Sequence, residues 1–172
     1  MTQLIDRMRE LKLIPVIQIN RVSDALPLGE ILLRNNLPVA EITLRTDAAL
    51  EAIRQLHQRM PELYLIAGTV TSPVLAGQAR DAGASAMVSP GFNPLTVAFC
   101  QQNGIPIVPG IATPSDIELA MNHDLRFVKF FPAEANGGIP MLKAIAGPYR
   151  DMRFMPTGGI NPENLMNYLA LS

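Results

Sequence analysis

The feature that most constrains the fold is an alternation repeated along the whole chain. Short runs rich in β-branched and apolar residues occupy positions 13–19, 39–44, 63–69, 86–89, 105–108, 127–131 and 153–156. Between them lie segments with helical spacing. Leu50, Ile53, Leu56 and Met60 mark one stripe, and Ile117, Leu119, Ala120 and Met121 suggest another. Apolar runs unbroken by polar alternation predict strands covered on both faces, as in parallel sheets. The connecting pieces begin with residues that cap helices: Ser23-Asp24, Thr46-Asp47, Thr71-Ser72-Pro73, Thr113-Pro114-Ser115 and Asn161-Pro162. Several end at glycine or asparagine turns, namely Asn35-Asn36, Ala82-Gly83 and Asn103-Gly104.

Seven strand–helix units give an α/β chain with a parallel sheet, either an open doubly wound sheet or a closed barrel. The strand ends favour the barrel. Nearly every one is polar or glycine-bearing: Glu41, Arg45, Thr69, Ser89-Pro90-Gly91, Pro109-Gly110, Lys129 and Thr157-Gly158-Gly159. Barrel enzymes gather their sites at the carboxyl ends of many strands, whereas open sheets use mainly the switch point. A G-x-G-x-x-G fingerprint after the first strand is absent, which disfavours a dinucleotide fold. The expectation is therefore one (β/α)8 TIM-barrel domain over residues 1–172. Its eighth strand and closing helix are absent from these residues and expected beyond Ser172, because a complete barrel runs past ~200 residues.

Composition excludes several classes. A formal net charge of −1 with scattered signs leaves no footprint for nucleic acid or an anionic membrane. The single cysteine, Cys100, rules out an internal disulfide framework and suits a reducing cytoplasm. No basic-then-apolar leader and no apolar stretch of ~18 residues is present, so no signal peptide or membrane span is expected. Neither His57 nor His123 belongs to a cluster with metal-ligand spacing, so no metal and no cofactor is called for.

Three lysines stand against eleven arginines, and one of the three is placed unusually. Lys129 lies in Phe127-Val128-Lys129-Phe130-Phe131, where strand alternation puts it on one face with Phe127 and Phe131. Burial among aromatic rings disfavours an ammonium and frees the neutral amine, which is the nucleophile. The plainer reading is an edge-strand lysine that discourages aggregation, and four apolar neighbours in a central strand fit that poorly. Glu41, Thr43 and Arg45 share a face of the second strand. A carboxylate and a guanidinium there either pair with each other or serve a ligand, as proton carrier and as fork for a carboxylate. Spacing alone leaves both open. Thr157-Gly158-Gly159-Ile160-Asn161-Pro162 follows the seventh strand, and glycines before a helix start suit a phosphate.

These segments together resemble the 2-keto-3-deoxy-6-phosphogluconate (KDPG) and 4-hydroxy-2-oxoglutarate aldolases. The resemblance rests on residues 41–46 (EITLRT), 67–70 (AGTV), 89–91 (SPG), 128–138 (VKFFPAEANGG) and 156–160 (PTGGI), in order from about Pro15 to Leu171. It implies a class I aldolase, a carbon–carbon lyase of carbohydrate metabolism in the Entner–Doudoroff pathway. The implied reaction cleaves 2-dehydro-3-deoxy-6-phosphogluconate to pyruvate and glyceraldehyde 3-phosphate, and also 4-hydroxy-2-oxoglutarate to pyruvate and glyoxylate. Lys129 would form the Schiff base and Glu41 would shuttle protons. Arg45 would hold the pyruvate carboxylate, with Thr69, Pro90 and Phe131 lining the keto acid. Thr157 would meet a hydroxyl of the aldehyde portion, and Gly158 and Gly159 the phosphate. The family's eighth strand carries a further phosphate turn that these residues lack. The resemblance also implies a homotrimer without a cofactor. Two alternatives are an aldolase for the galactonate epimer and a non-catalytic anion-binding barrel fragment. Threonine at 157 argues against the first, and the joint presence of Lys129, Glu41 and Arg45 against the second. A third, a phosphate-binding barrel isomerase or epimerase, would need no amine at Lys129.

Overall fold

A computed structural model describes residues 2–171, with side-chain surroundings from residue 6 onward. The elements run α1 (Thr2–Leu11), β1 (Val16–Ile17), a 3-10 turn (Val22–Asp24), α2 (Ala25–Arg34), β2 (Val39–Thr43), α3 (Ala49–Arg59), β3 (Tyr64–Gly68), α4 (Pro73–Asp81) and β4 (Ala86–Val88). They continue with α5 (Pro94–Gln102), β5 (Ile107–Val108), β6 (Gly110–Ile111), α6 (Pro114–Asn122), β7 (Phe127–Phe130), α7 (Gly138–Ala146), β8 (Arg153–Pro156) and α8 (Leu165–Leu169). Each expected strand is present. The first shrinks to Val16–Ile17, because Pro15 has no N–H to pair and offers only its carbonyl, which accepts from Glu41 N–H at 2.9 Å. The fifth is followed by an unexpected short strand: Pro109 interrupts the ladder, and pairing resumes at Gly110.

The chain forms two compact units, residues 1–89 with 93–107 and residues 90–92 with 108–172. The first is built on a sheet in the order β1-β2-β3-β4-β5, the second on β6-β7-β8. The pairs β1–β2, β2–β3, β3–β4, β6–β7 and β7–β8 are parallel. In the first unit, Ile53 and Leu56 of α3 are fully buried and Met60 nearly so, as the stripe predicts; with Ile42, Leu65, Ile66 and Met87 they form the core. In the second, Ile117, Leu125, Val128 and Phe130 are buried.

Helix starts divide into two kinds. Ser72, Asn93 and Thr113 cap α4, α5 and α6 through their side-chain oxygens, each followed by proline at the first helical position. Asn93 is a cap the sequence reading overlooked. Thr46 was expected to cap α3, but its hydroxyl donates to the Ile19 carbonyl, so the helix begins at Ala49 without a side-chain cap. Asp24 precedes α2 with no cap bond either. The expected helix ends fit well, with Asn36, Gly83 and Gly104 at positive φ.

At α6 the cap is reciprocal. Thr113 Oγ1 accepts from Asp116 N–H at 3.3 Å, while Asp116 Oδ2 accepts from Thr113 N–H at 2.9 Å and Ala112 N–H at 3.0 Å. Burial pulls the Asp116 carboxyl up, but these amides and the Thr113 hydroxyl outweigh it and hold the group below its usual 3.8. A depressed folded value means the contribution is present above pH 3.8 and disappears as the pH falls through the folded value. Thr113→Ala is expected to cost about 1 kcal/mol in urea unfolding at neutral pH. Asp116→Asn should flatten the acid limb of the stability–pH curve. A Thr113→Ala protein as stable as the parent would show the cap to be idle.

Candidate active site

In the first unit, every residue of β2 is buried. Glu41 lies at 1% exposure in register with Ile66 of β3. Its side chain occupies space that exists because the neighbouring strand ends in glycine: a Cβ on Gly68 would lie 2.8 Å from Glu41 Cγ and 3.0 Å from its carboxyl carbon. Arg45 follows β2 and is exposed. Its Nε donates to Thr69 Oγ1 at 3.1 Å, so the guanidinium turns to the threonine and not to Glu41, which answers the pairing question that spacing left open. Thr69 itself has φ +61. A β-branched side chain in the left-handed region is strained, and such strain collects where a side chain must be aimed. Leu44, Arg45, Thr46, Asp47, Leu50 and Leu75 line an open pocket of about 430 Å³. Thr43, on the face of Glu41, donates to the Ile17 carbonyl at 3.0 Å and is committed to the sheet.

In the second unit, β7 lies between β6 and β8 and all its residues are buried, which excludes the edge-strand reading of Lys129. Lys129 is 4% exposed, paired in register with Gly110 and Met155. Its Nζ sits 5.0 Å from the centroid of the Phe131 ring, within cation–π range. Phe131 is half-buried and gives the amine one aromatic wall. Pro90 packs its carbonyl against Gly110, where any Cβ would collide with it.

Thr157 continues β8. Its N–H donates to Phe130 O at 3.0 Å and its hydroxyl to Met155 O at 3.3 Å, leaving the hydroxyl oxygen able to accept. Gly158 and Gly159 follow at φ +96 and +81. A Cβ on Gly158 would stand 3.3 Å from the Phe131 ring, and one on Gly159 2.6 Å from Glu134 Cβ, so both positions require glycine. Neither amide donates to an acceptor among the described residues. The expected helix start at Asn161-Pro162 needs correction. The helix α8 begins at Leu165, because Asn161 Oδ1 accepts from the N–H groups of Glu163 and Asn164 and holds them in a turn. Any anion held here meets the glycine amides, not a helix terminus.

The remaining polar candidates stay apart from this chemistry. Among the described residues no three His, Cys, Asp or Glu side chains are grouped to hold a metal ion. His57 packs on Gly83 and His123 tilts against Phe92 at 5.3 Å. Burial pushes the Cys100 thiol up to about 11, which makes it inert. No described helix is long and apolar enough to cross a membrane. Sequence reading missed Gly68, whose lack of a side chain makes room for Glu41, and Glu134, whose side chain underlies Gly159. The only local signal for the former is a glycine ending a strand-like run.

Comparison with known proteins identifies the family and the fold. The family model described as KDPG and KHG aldolase matches residues 4–172. The 2-dehydro-3-deoxy-phosphogluconate aldolase of Haemophilus influenzae is 46% identical over 98% of this chain and 80% of its own length. The KHG/KDPG aldolase of Escherichia coli is 43% identical over 92% of this chain and 74% of its own. The solved KDPG aldolase of Legionella pneumophila, with pyruvate captured as a covalent carbinolamine, is 42% identical with a TM-score of 0.88, covering 91% of this chain and 76% of that one. The fold class is accordingly α/β of the TIM-barrel type. With the family model spanning nearly all of it and relatives this similar along most of its length, the chain belongs to the KDPG and KHG aldolase family.

Proposed function

We propose that this chain is a class I aldolase that cleaves 2-dehydro-3-deoxy-6-phosphogluconate to pyruvate and glyceraldehyde 3-phosphate. It also cleaves 4-hydroxy-2-oxoglutarate to pyruvate and glyoxylate. The observation that carries this reading is Lys129, a buried amine in a central strand beside the Phe131 ring. The E. coli relative's name, with both substrates in it, supports the dual activity.

The neutral amine of Lys129 adds to the C2 carbonyl of the keto acid, giving a carbinolamine, and loss of water gives the protonated imine. That imine is the electron sink. As the C4 hydroxyl passes its proton through a bridging water to the Glu41 carboxylate, the C3–C4 bond breaks, its electrons pass to the imine nitrogen, and the aldehyde departs. Glu41, through a water, carries the proton during carbinolamine collapse and delivers one to C3 of the resulting enamine. Hydrolysis then frees pyruvate and restores Lys129. Arg45, aimed by its bond to Thr69, holds the pyruvate carboxylate, and Pro90 and Phe131 flank the keto acid. The Gly158 and Gly159 amides take the phosphate and Thr157 a substrate hydroxyl. The enzyme works as a cytoplasmic homotrimer. Borohydride reduction in the presence of pyruvate, followed by mass mapping, tests the reading: the adduct must fall on Lys129.

Thr157 bears on the choice between epimers, since the runner-up substrate is the galactonate isomer. A hydroxyl that pairs with a substrate hydroxyl discriminates better than an apolar group. Thr157→Val is expected to narrow the ratio of kcat/KM for the gluconate over the galactonate substrate by about tenfold, the worth of one such bond. A ratio that does not move removes Thr157 from the specificity site.

A further inference from the structure

The loop after Lys129 is tied to the turn after Thr157 through groups that take no part in the chemistry above. Ala133 N–H donates to Thr157 O at 2.7 Å and Glu134 N–H to Gly158 O at 3.1 Å. A peptide group is planar, so each carbonyl fixes the N–H of the following residue. Holding Thr157 O therefore orients Gly158 N–H, and holding Gly158 O orients Gly159 N–H. These are the two amides assigned to the phosphate. Asn164 Nδ2 donates to Gly159 O at 3.1 Å and fixes the next plane.

What keeps Glu134 in place is Tyr168. The phenol of this residue, on α8 and 8% exposed, donates to Glu134 Oε1. Glu134 Cβ and Cγ lie so close under Gly159 that a Cβ there would stand 2.6 and 2.7 Å from them. Gly138, at φ +59, leaves room for the pair: a Cβ there would be 2.8 Å from Glu134 Oε1 and 3.3 Å from the Tyr168 hydroxyl. Burial, then the hydrogen bond and charge of Glu134, push the Tyr168 phenol up to about 12, so it remains a donor at any working pH. A pocket of about 400 Å³ lined by Glu134, Gly138, Asn164 and Tyr168 runs beside the pair, so the contact is bordered by open space and not fixed by packing on every side.

We propose that Glu134 and Tyr168 are positioning residues for the phosphate end of the substrate, holding the loop whose amides aim the N–H groups of Gly158 and Gly159. The inference rests on the aldolase reading and deepens it. Substrates with and without phosphate separate this role from a merely structural one. Tyr168→Phe and Glu134→Ala should raise KM for 2-dehydro-3-deoxy-6-phosphogluconate by about tenfold, the worth of one charge-assisted bond, with a smaller effect on kcat. Both should leave kcat/KM for 4-hydroxy-2-oxoglutarate within about twofold, since that substrate carries no phosphate. Glu134→Gln keeps an oxygen to accept from the phenol and should behave like the parent. Equal losses on both substrates, or no change on either, overturn the proposal. Borohydride trapping of pyruvate on the same samples separates the two failures. An absent adduct in the parent protein overturns the aldolase reading itself, whereas an unshifted KM ratio with trapping intact overturns only the positioning role.

Discussion

Lys129→Ala is expected to bring aldol cleavage down to background and to abolish the borohydride-trapped pyruvate adduct. The reason lies in where the other amines stand. Lys12 follows α1 and Lys143 lies on α7, both exposed and neither on a strand. Lys129 is 4% exposed between two paired strands, with a ring 5.0 Å from its nitrogen. Alanine leaves a hole in β7, so Lys129→Met, which keeps the bulk of the stem, serves as the companion variant. Lys129→Met should retain the unfolding midpoint closely enough to show that loss of activity is not loss of fold. Pyruvate trapped at normal yield on either variant would place the imine on another residue.

Glu41→Gln is expected to lower turnover by ~10²-fold or more while leaving the chain folded. The amide keeps the volume of the side chain beside Gly68, so the strand has no cause to move. It cannot carry a proton, and both the collapse of the carbinolamine and protonation of the enamine should slow. The second step can be read alone: exchange of the pyruvate methyl protons with solvent deuterium, followed by NMR, should fall in parallel with turnover. A variant that exchanges and turns over at the parental rate would assign proton transfer to another group.

These two candidates stand out in the sequence for different reasons. Lys129 announces itself because a charge inside an unbroken apolar run has no cheap structural explanation. Glu41 does so only in part. Alternation put it on one face with Arg45, yet the same spacing suits a salt bridge and a split pair of roles, and only the bond from Arg45 to Thr69 distinguishes them. The strand positions were legible because each is a compact apolar run. Their details depended on proline, which removes a donor but keeps its acceptor. Pro15 and Pro109 both accept ladder bonds, from Glu41 and Lys129, while shortening or interrupting their strands. The Asn161-Pro162 pair looked like a helix start because local rules cannot tell a cap from a turn when the same oxygen serves either. The contact of Glu134 with Tyr168 joins segments far apart in sequence, and no periodicity reports such a meeting.

The capped prolines at α4, α5 and α6 have a consequence for how molecules enter and leave. Residues 69–72, 89–93 and 112–113, which follow β3, β4 and β6, each end at a side-chain cap and a proline whose φ is already set. Such connections have little slack, and the swinging lids that set the pace of many enzymes need just that slack. Each of these three connections, taken by itself, is held at its helix end and is no swinging lid, so a molecule passing it meets a standing loop.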